Sequence, residues 1–342
     1  MSTKFSWKDL TQKLFRWMIP LGVSAGAIWL VFRNVKWSLI VENLVKISPM
    51  TYVWVTAVFF LSYFFRVYCW YILMRRKVAF KDVFFTMGAG YLLNNLFPFR
   101  LGELGRAVLL DEPGKVSTLE ALSSVLVERI FDVFLAAVFV LSMVPRLLSR
   151  DFDQRLIMIA FIITSSGMLF LYLAARYRLL IISWLNAWGE KQHFVKSWIT
   201  PKAHQIFEGL SVLSNPTSFL ISFGSLVVSW LFAFVENYIV FQDLYSNPPF
   251  WWMVFVLGAG AFGNALPSAP AGIGVFEGMM VAAFILLGVS SPLALTHAIV
   301  IHVLSFVITN IIGLIGLRMR GEAVISLYRR VVNRQPKIQA VE

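Results

Sequence analysis

A segment between Phe85 and Gly102 recurs 170 residues later, between Phe255 and Gly272, and this duplication limits the folds open to the chain. The residues of the first copy that the second repeats are Phe85, Gly88, Ala89, Gly90, Asn94, Leu96 and Gly102. Carried on without gaps, the same offset also pairs Val133 with Val303. So many identities at one offset predict two related halves with the same arrangement of secondary structure.

Composition places these halves in a membrane. Of the 342 residues 58% are hydrophobic and 14% are charged, which leaves too few charged side chains to cover a soluble globule of this size. The net charge of +12 predicts attraction to anionic lipid headgroups rather than to nucleic acid. Cys69 is the only cysteine, so neither an internal disulfide nor a cysteine-based metal site is expected. No nucleotide-binding loop occurs, and we expect no cofactor.

Apolar runs predict an all-α integral membrane protein. About 20 residues cross a hydrocarbon core of about 30 Å, and six stretches come close to that length: 17–33, 50–74, 118–148, 156–175, 218–242 and 293–317. Two other regions consist of shorter apolar arms joined by a turn. We predict that they form re-entrant helical hairpins at 83–110 and 251–289, which enter and leave the bilayer on one face.

Loop charges predict the orientation. Lys and Arg are concentrated in 75–81, 176–217 and 318–337, whereas 243–249 contains none. The positive-inside rule then predicts cytoplasmic N- and C-termini in a multi-pass protein of the cell membrane. Each half has three crossings, an odd number, so the second half would be inserted upside down relative to the first.

The predicted organisation is therefore a single membrane domain over 1–342 with an inverted-topology repeat. The first repeat spans 15–150 and the second spans 151–317. A basic cytoplasmic tail follows at 318–342, and the linker between halves, 176–217, is expected to lie along the inner membrane interface. In an apolar chain, two halves interrupted by Gly and Pro are typical of transporters that bind their substrate between the halves.

The first hairpin carries an arginine pair beside a helix break. Pro98 and Gly102 predict a turn with exposed backbone amides, close to Asn94. Arg100 and Arg106 flank Glu103, and an arginine fork donates two parallel hydrogen bonds to phosphate. The sequence indicates a lipid-phosphate site in which Glu103 orients an arginine. The alternative is that both arginines extend to the inner headgroups as anchors.

The next helix contains Glu128, Arg129 and Asp132 within one apolar run. Ionised groups at membrane depth cost roughly 2.5–3.5 kcal/mol each, so these three must pair or face a wet cavity. They could form a structural salt-bridge network, a binding site, or both, with Arg100 and Arg106 as further partners.

The second hairpin has a turn built from Pro267, Pro270, Gly272 and Gly274, near Asn264. Glu277 follows in the first turn of the next half-helix, where it is expected either to cap that helix or to act as a titratable gate. The offset also pairs Arg66 with Glu236 and Asp132 with His302, and we predict that Arg66 and Glu236 pair across the halves. His297 and His302 lie five apart, which favours packing roles over a metal site.

These motifs resemble the lysylphosphatidylglycerol synthase transmembrane region, or flippase-like domain, family over about 15–317. The residues that carry the resemblance are Asn94 to Arg106, then Glu128, Arg129 and Asp132, and then Pro267 to Glu277. The resemblance implies lipid translocation. Some members are fused to a soluble aminoacyl-transferase domain; these 342 residues contain none, so we expect no lysyltransferase activity.

Two functions remain open from the sequence. The first is a flippase for a phosphate-bearing lipid, either anionic or aminoacylated, or for a lipid-linked intermediate. The residues with binding roles would be Asn94, Arg100, Arg106, Arg129 and Asn264. The second is a membrane-embedded enzyme or accessory subunit in a glycolipid or polyprenyl-linked sugar pathway. Either function would bring this chain together with a separate lipid-modifying or glycosyl transferase.

Overall fold

The computed structural model describes residues 21–31, 33, 35–97, 99–111, 115–147, 154–192, 194–265 and 268–333. Regular structure within these ranges is helical, without a β-strand, which confirms the predicted all-α class. The α-helices in chain order are α1 Leu21–Val31, α2 Trp37–Lys46, α3 Pro49–Leu73, α4 Phe80–Leu96, α5 Leu101–Leu109, α6 Thr118–Leu147, α7 Gln154–Arg176, α8 Arg178–Lys191, α9 Thr200–Leu210, α10 Pro216–Leu244, α11 Trp251–Ala265, α12 Val275–Leu286, α13 Ser291–Met319 and α14 Val324–Asn333.

By length and composition, three described helices could each cross a membrane alone: α3, α10 and α13. A fourth crossing arises if α7 and α8, which meet at 65°, form one broken span. If the broken pair counts as one span, two of the six predicted spans, 17–33 and 118–148, do not qualify as spanning helices. The described part of α1 is short, and α6, although 30 residues long, carries Glu128, Arg129 and Asp132 in its apolar run. The charged residues inside α6 are therefore the reason that it does not qualify as an apolar spanning helix.

The helices on either side of the duplication correspond. Adding 170 to the residue numbers of α3 gives a range that lies within α10. The same addition matches α4 with α11 and α6 with α13. The match is looser for α5, which begins four residues earlier than its counterpart α12. The repeated sequence therefore encodes a repeated order of helices.

The equivalent helices α3 and α10 pack against each other in antiparallel directions. Thr51 near the start of α3 donates a hydrogen bond to Asp243 near the end of α10, with its Oγ1 2.6 Å from Oδ2. About halfway along both helices, the hydroxyls of Ser62 and Ser229 lie 3.2 Å apart. Residue numbers rise along one helix as they fall along the other, so the two copies of this helix run in opposite directions.

Each short-helix pair folds back on itself and packs on the other half. In α4–α5, Gly102 approaches the backbone of Gly90 so closely that a Cβ on Gly102 would lie 1.8 Å from the Gly90 carbonyl oxygen. Gly88 of this hairpin lies against Gly313 of α13, and its repeat equivalent, Gly258 of α11, lies against Val140 of α6. The hairpins are thus exchanged between the halves.

The described part of the predicted tail, 318–333, includes a helix that docks on the first hairpin. In α14, Leu327 is fully buried in a cluster with Leu93 and Leu109. The ring of Tyr328 stacks on Phe97, with centroids 4.3 Å apart. These contacts hold the residue at the end of α4, directly before the first hairpin turn.

The predicted interfacial linker, 176–217, contains α8 and α9. Three tryptophans with large exposed fractions lie along it: Trp184, Trp188 and Trp198. Their exposure fits a membrane-surface position, and that position stays a prediction.

Gly102→Ala is expected to lower the stability of the protein, because the new methyl group would meet backbone that cannot move aside. Overpacking of this kind costs roughly 1–3 kcal/mol. The matched control is Gly224→Ala in α10, where a Cβ would meet nothing within 4 Å. Thermal unfolding in detergent should show a lower midpoint for Gly102→Ala alone; equal midpoints would contradict the packing described for this hairpin.

Candidate functional site

A cavity of about 640 Å³ lies between the two halves. The first half contributes α3, α4, α5 and α6 to its wall, and the second contributes α10, α11, α12 and α13. Residues beside both hairpin turns also line it. The predicted site residues that line the cavity are Arg66, Asn94, Arg100, Glu103, Arg106, Arg129, Asp132, Glu236 and Gly272. The fold therefore brings together groups that are up to 206 residues apart in the chain.

Glu128 forms the centre of the ion-pair network behind the first-half wall. Its side chain is fully buried. Arg106 donates from Nη1 to Oε2 at 3.0 Å, and Arg129 donates from Nη2 to Oε1 at 2.6 Å. Arg66 adds a longer contact of 3.4 Å. The expected contact between this helix and the first hairpin is therefore present, and one carboxylate joins α3, α5 and α6.

Asp132, one turn further along α6, receives a two-pronged contact from Arg66. The two guanidinium nitrogens lie 2.8 and 3.0 Å from the two carboxylate oxygens. Trp230 of α10 donates its indole N–H to Oδ1 at 3.0 Å, which ties the second half to the same carboxylate. Sequence reasoning missed Trp230, because its offset equivalent is Phe60 and no local pattern distinguishes it from a packing aromatic.

The first hairpin turn places Arg100 at the mouth of this network. Phe99 and Arg100 both adopt left-handed backbone angles, with φ of 64° and 52°. Such angles are uncommon for residues other than glycine and occur where surrounding structure imposes them. Glu103 lies 3.6 Å from Arg100 and 3.8 Å from Arg129. Glu103 therefore sits between two arginines, and its orienting role stays a prediction.

The network has an excess of positive charge and unused donors. Its charged members are Arg66, Arg100, Arg106, Arg129, Glu103, Glu128 and Asp132, four cations against three anions. Arg106 Nη2 and Arg129 Nε are buried donors without an acceptor among the described residues. Arg106 is also only 3% exposed and lies 4.6 Å from the Trp70 ring. The anchoring alternative is thus excluded for Arg106.

Polar residues at the first turn mainly fix its shape. Asn94 accepts a hydrogen bond from the Gly102 amide at 2.8 Å, so the hairpin itself uses the carbonyl oxygen of this predicted substrate ligand. Asn95, which the sequence did not single out, donates to Thr309 and Asn310 of α13. Pro98, Pro267 and the side chain of Asn264 lie outside the described residues.

The second hairpin presents a carboxyl–imidazole pair. Glu277 accepts from the Gly274 amide at 2.7 Å, as a helix cap does, and its other oxygen lies 2.5 Å from Nδ1 of His302. His302 is hydrogen-bonded and packs on the Phe276 ring, as predicted, and it also lines the cavity because α13 turns the imidazole toward α12. Gly274 has φ of 86°, a conformation that favours glycine. Pro270 and Gly272 form the short helical turn before it.

The predicted pairing of Arg66 with Glu236 is wrong, since Arg66 is occupied by Asp132. The Thr51–Asp243 and Ser62–Ser229 contacts place residues 61 and 231 opposite each other, and this crossing is where equivalent residues of α3 and α10 meet. Arg66 and Glu236 lie five residues beyond the crossing on antiparallel helices, hence about 15 Å apart along the helix axes at 1.5 Å per residue. Both still face the cavity.

His297 has the packing role that was predicted. It is fully buried, and its Nε2 lies 3.0 Å from the carbonyl oxygen of Asn237. Among the described residues, no group of three or more His, Cys, Asp or Glu side chains has a metal-binding arrangement. The described side chains at this site can form ion pairs and hydrogen bonds and can bind protons.

Comparison with known proteins supports the resemblance seen in the motifs. A family model described as the lysylphosphatidylglycerol synthase TM region matches residues 17–313, which include both halves and the whole lining of the cavity. Comparison with curated proteins and with solved structures finds no match.

Glu128→Gln is expected to destabilise the protein strongly, because three arginines would lose their shared anion. Removing one partner of a buried ion pair costs about 3–5 kcal/mol. Ser62→Ala is the matched control, since it removes one neutral hydrogen-bonding group from the same cavity wall at a cost of about 1 kcal/mol. Thermal unfolding in detergent should show a much larger drop for Glu128→Gln; similar drops for both variants would count against the network.

Proposed function

We propose that this chain, which belongs to the lysylphosphatidylglycerol synthase TM region family, is a flippase that moves a phosphate-bearing lipid between bilayer leaflets. The transported lipid would carry its phosphate into the cavity between the halves while its acyl chains remain in the bilayer. Arg100, Arg106 and Arg129 would receive the phosphate, and Glu103, Glu128 and Asp132 would orient these arginines.

The observation that carries this proposal is the positive excess of the cavity network. Four arginines and three carboxylates at membrane depth leave one cation uncompensated, which is costly unless an anion binds. A phosphodiester supplies one negative charge and several acceptor oxygens. The buried donors Arg106 Nη2 and Arg129 Nε provide capacity for such an acceptor.

Movement between leaflets requires two opposed halves, and several contacts support the inverted repeat. Equivalent helices α3 and α10 run antiparallel, and each hairpin packs on the other half. At 1.5 Å per residue, α4 and α5 are about 25 and 13 Å long, so α5 falls well short of a 30 Å core. We propose that both hairpins are re-entrant and that the halves rock around them, exposing the cavity to each leaflet in turn.

Orientation and partners follow from the same proposal. The chain would lie in the cell membrane with both termini and the 83–110 hairpin on the cytoplasmic side, as the positive-inside rule favours. A separate lipid-modifying or glycosyl transferase would supply the lipid. The enzyme alternative is less well supported, because the carboxylates of Glu128 and Asp132, which would have to act as acid and base, are engaged in ion pairs with arginines.

Purified protein in vesicles tests the function directly. Vesicles of phosphatidylcholine and phosphatidylglycerol would contain fluorescent headgroup-intact phosphatidylglycerol, whose movement is followed by chemical quenching of the outer leaflet. Movement above that of protein-free vesicles, without a new covalent product by mass spectrometry, supports a flippase. A new product without movement supports the enzyme.

Arg100→Lys is expected to slow lipid movement while leaving expression and thermal stability near wild type. The charge remains, but the planar fork that contacts two phosphate oxygens is lost. Loss of one such contact, worth about 1.5–3 kcal/mol, corresponds to roughly a 10- to 150-fold slower rate if it acts in the rate-limiting step. Arg318→Lys, at an exposed position at the end of α13 away from the cavity, is the control. Equal rates for both variants would remove Arg100 from the binding role.

Cysteine labelling tests the first re-entrant hairpin. Lys81→Cys and Asp111→Cys place thiols at exposed positions before and after it. Native Cys69 is buried and gives a low background. In intact cells a membrane-impermeant maleimide should label neither position until the membrane is opened. Labelling of one position only in intact cells would mean that 83–110 crosses the bilayer.

A further inference from the structure

Glu236 is a buried carboxyl without a partner in a site that is otherwise rich in ion pairs. It lies on the apolar helix α10, is 5% exposed and lines the cavity. Among the described residues it makes neither a hydrogen bond nor an ion pair. Its repeat equivalent, Arg66, is by contrast fully engaged by Asp132.

An ionised carboxylate in such a place is costly. Insertion of a charged group at the centre of a membrane helix costs roughly 2.5–3.5 kcal/mol even when the surroundings can adapt. A carboxyl avoids that cost by binding a proton, which makes it neutral. An arginine at the same depth cannot become neutral, because it does not lose its proton. Burial by itself therefore favours the neutral form of Glu236.

We propose that Glu236 is a proton-binding site that couples lipid movement to protons, an inference that rests on the flippase function proposed above. The carboxylate takes up one proton from water when the cavity faces one side of the membrane. It releases that proton to water when the cavity faces the other side. No bond other than O–H forms or breaks.

The charged and titratable groups around the cavity allow this role. From the helices packed on α10 they are Arg66 and Tyr63 of α3, Arg129 and Asp132 of α6, and His297 and His302 of α13. The packed helix α11 contains no titratable side chain, and on α2 Glu42 and Lys46 pair with each other. Asp132 holds Arg66 and Glu277 holds His302, so the cations and the imidazole nearest in the fold already have acceptors.

Charge balance gives the coupling a direction. The first-half network carries one excess positive charge, which one bound phosphodiester cancels. With that lipid bound, a neutral Glu236 leaves this part of the cavity without net charge, whereas an ionised Glu236 leaves one negative charge. Low-dielectric surroundings penalise net charge, so the loaded cavity should reorient with Glu236 protonated.

Infrared spectroscopy tests the proton site without any transported lipid. Wild-type protein in phosphatidylcholine vesicles at neutral pH should show a carboxylic-acid carbonyl band that Glu236→Gln lacks. Glu42→Gln, at an exposed position on α2, should retain the band. A wild-type spectrum identical to that of Glu236→Gln from pH 5 to 8 would overturn the proposal.

Transport measurements then test the coupling. In the phosphatidylglycerol vesicles, wild-type lipid movement should respond to an imposed pH gradient and should itself move protons, seen with a trapped pH dye. Above the midpoint the protonated fraction falls about tenfold per pH unit. Glu236→Asp keeps a carboxyl and should keep the response, whereas Glu236→Gln, scaled to its own rate without a gradient, should lose it. Glu42→Gln should behave as wild type.

The outcomes separate the two proposals. Absence of lipid movement in every wild-type preparation contradicts the flippase function, while the infrared band still decides the proton site. Lipid movement in wild-type vesicles that neither responds to pH nor moves protons overturns the coupling and leaves the flippase standing. The same holds if Glu236→Gln keeps the pH response of the wild type. If the Glu236 variants do not fold, the wild-type measurement still tests the coupling, because lipid movement without proton movement overturns it.

Discussion

The ion pairs of the buried Glu128 carboxylate with three arginines are the interaction on which the arrangement of the site depends. The carboxylate is fully enclosed, so it is tolerable only with cations around it, and those cations come from three separate helices. Arg106 brings the first hairpin, Arg66 brings α3, and Arg129 belongs to the helix of Glu128 itself. If the hairpin left this position, Arg106 would lose its carboxylate partner and Glu128 would lose one of its three cations. One electrostatic requirement thus fixes the depth of the hairpin and the shape of the cavity wall.

The same network is the basis of the proposed anion site. Once Glu128 and Asp132 are satisfied, Arg100 and part of Arg129 have only the half-exposed Glu103 between them. A cavity that was neutral would have no preference for an anion, and a cavity with unpaired arginines would not be stable in the empty protein. Partial compensation is what the proposed site requires: it would be stable empty and would still attract phosphate.

The two halves share a backbone plan and differ in chemistry. Position for position, Arg106 corresponds to Phe276, Asp132 to His302, and Arg66 to Glu236. The first half therefore provides the proposed anion site, whereas the second provides groups that bind or share protons. In a rocking transporter, such a division would let one half hold the lipid headgroup and the other register protonation, as the same cavity is exposed to each side in turn.

The sequence by itself determined the helical class, the duplication with its hairpin breaks, and the presence of ionised groups at membrane depth, because composition, periodicity and insertion cost are local properties. It also offered Arg100 and Arg106 as partners for the charges of α6, without deciding which arginine meets which carboxylate, since charges this deep need partners. Only the tertiary structure decided which partners they have. Equivalent residues of antiparallel helices approach each other solely near the crossing point, so Arg66 binds Asp132 and leaves Glu236 alone. Trp230 and His302 join the site for the same reason: the rotation and register of packed helices arise from contacts along their whole length, which no single motif encodes.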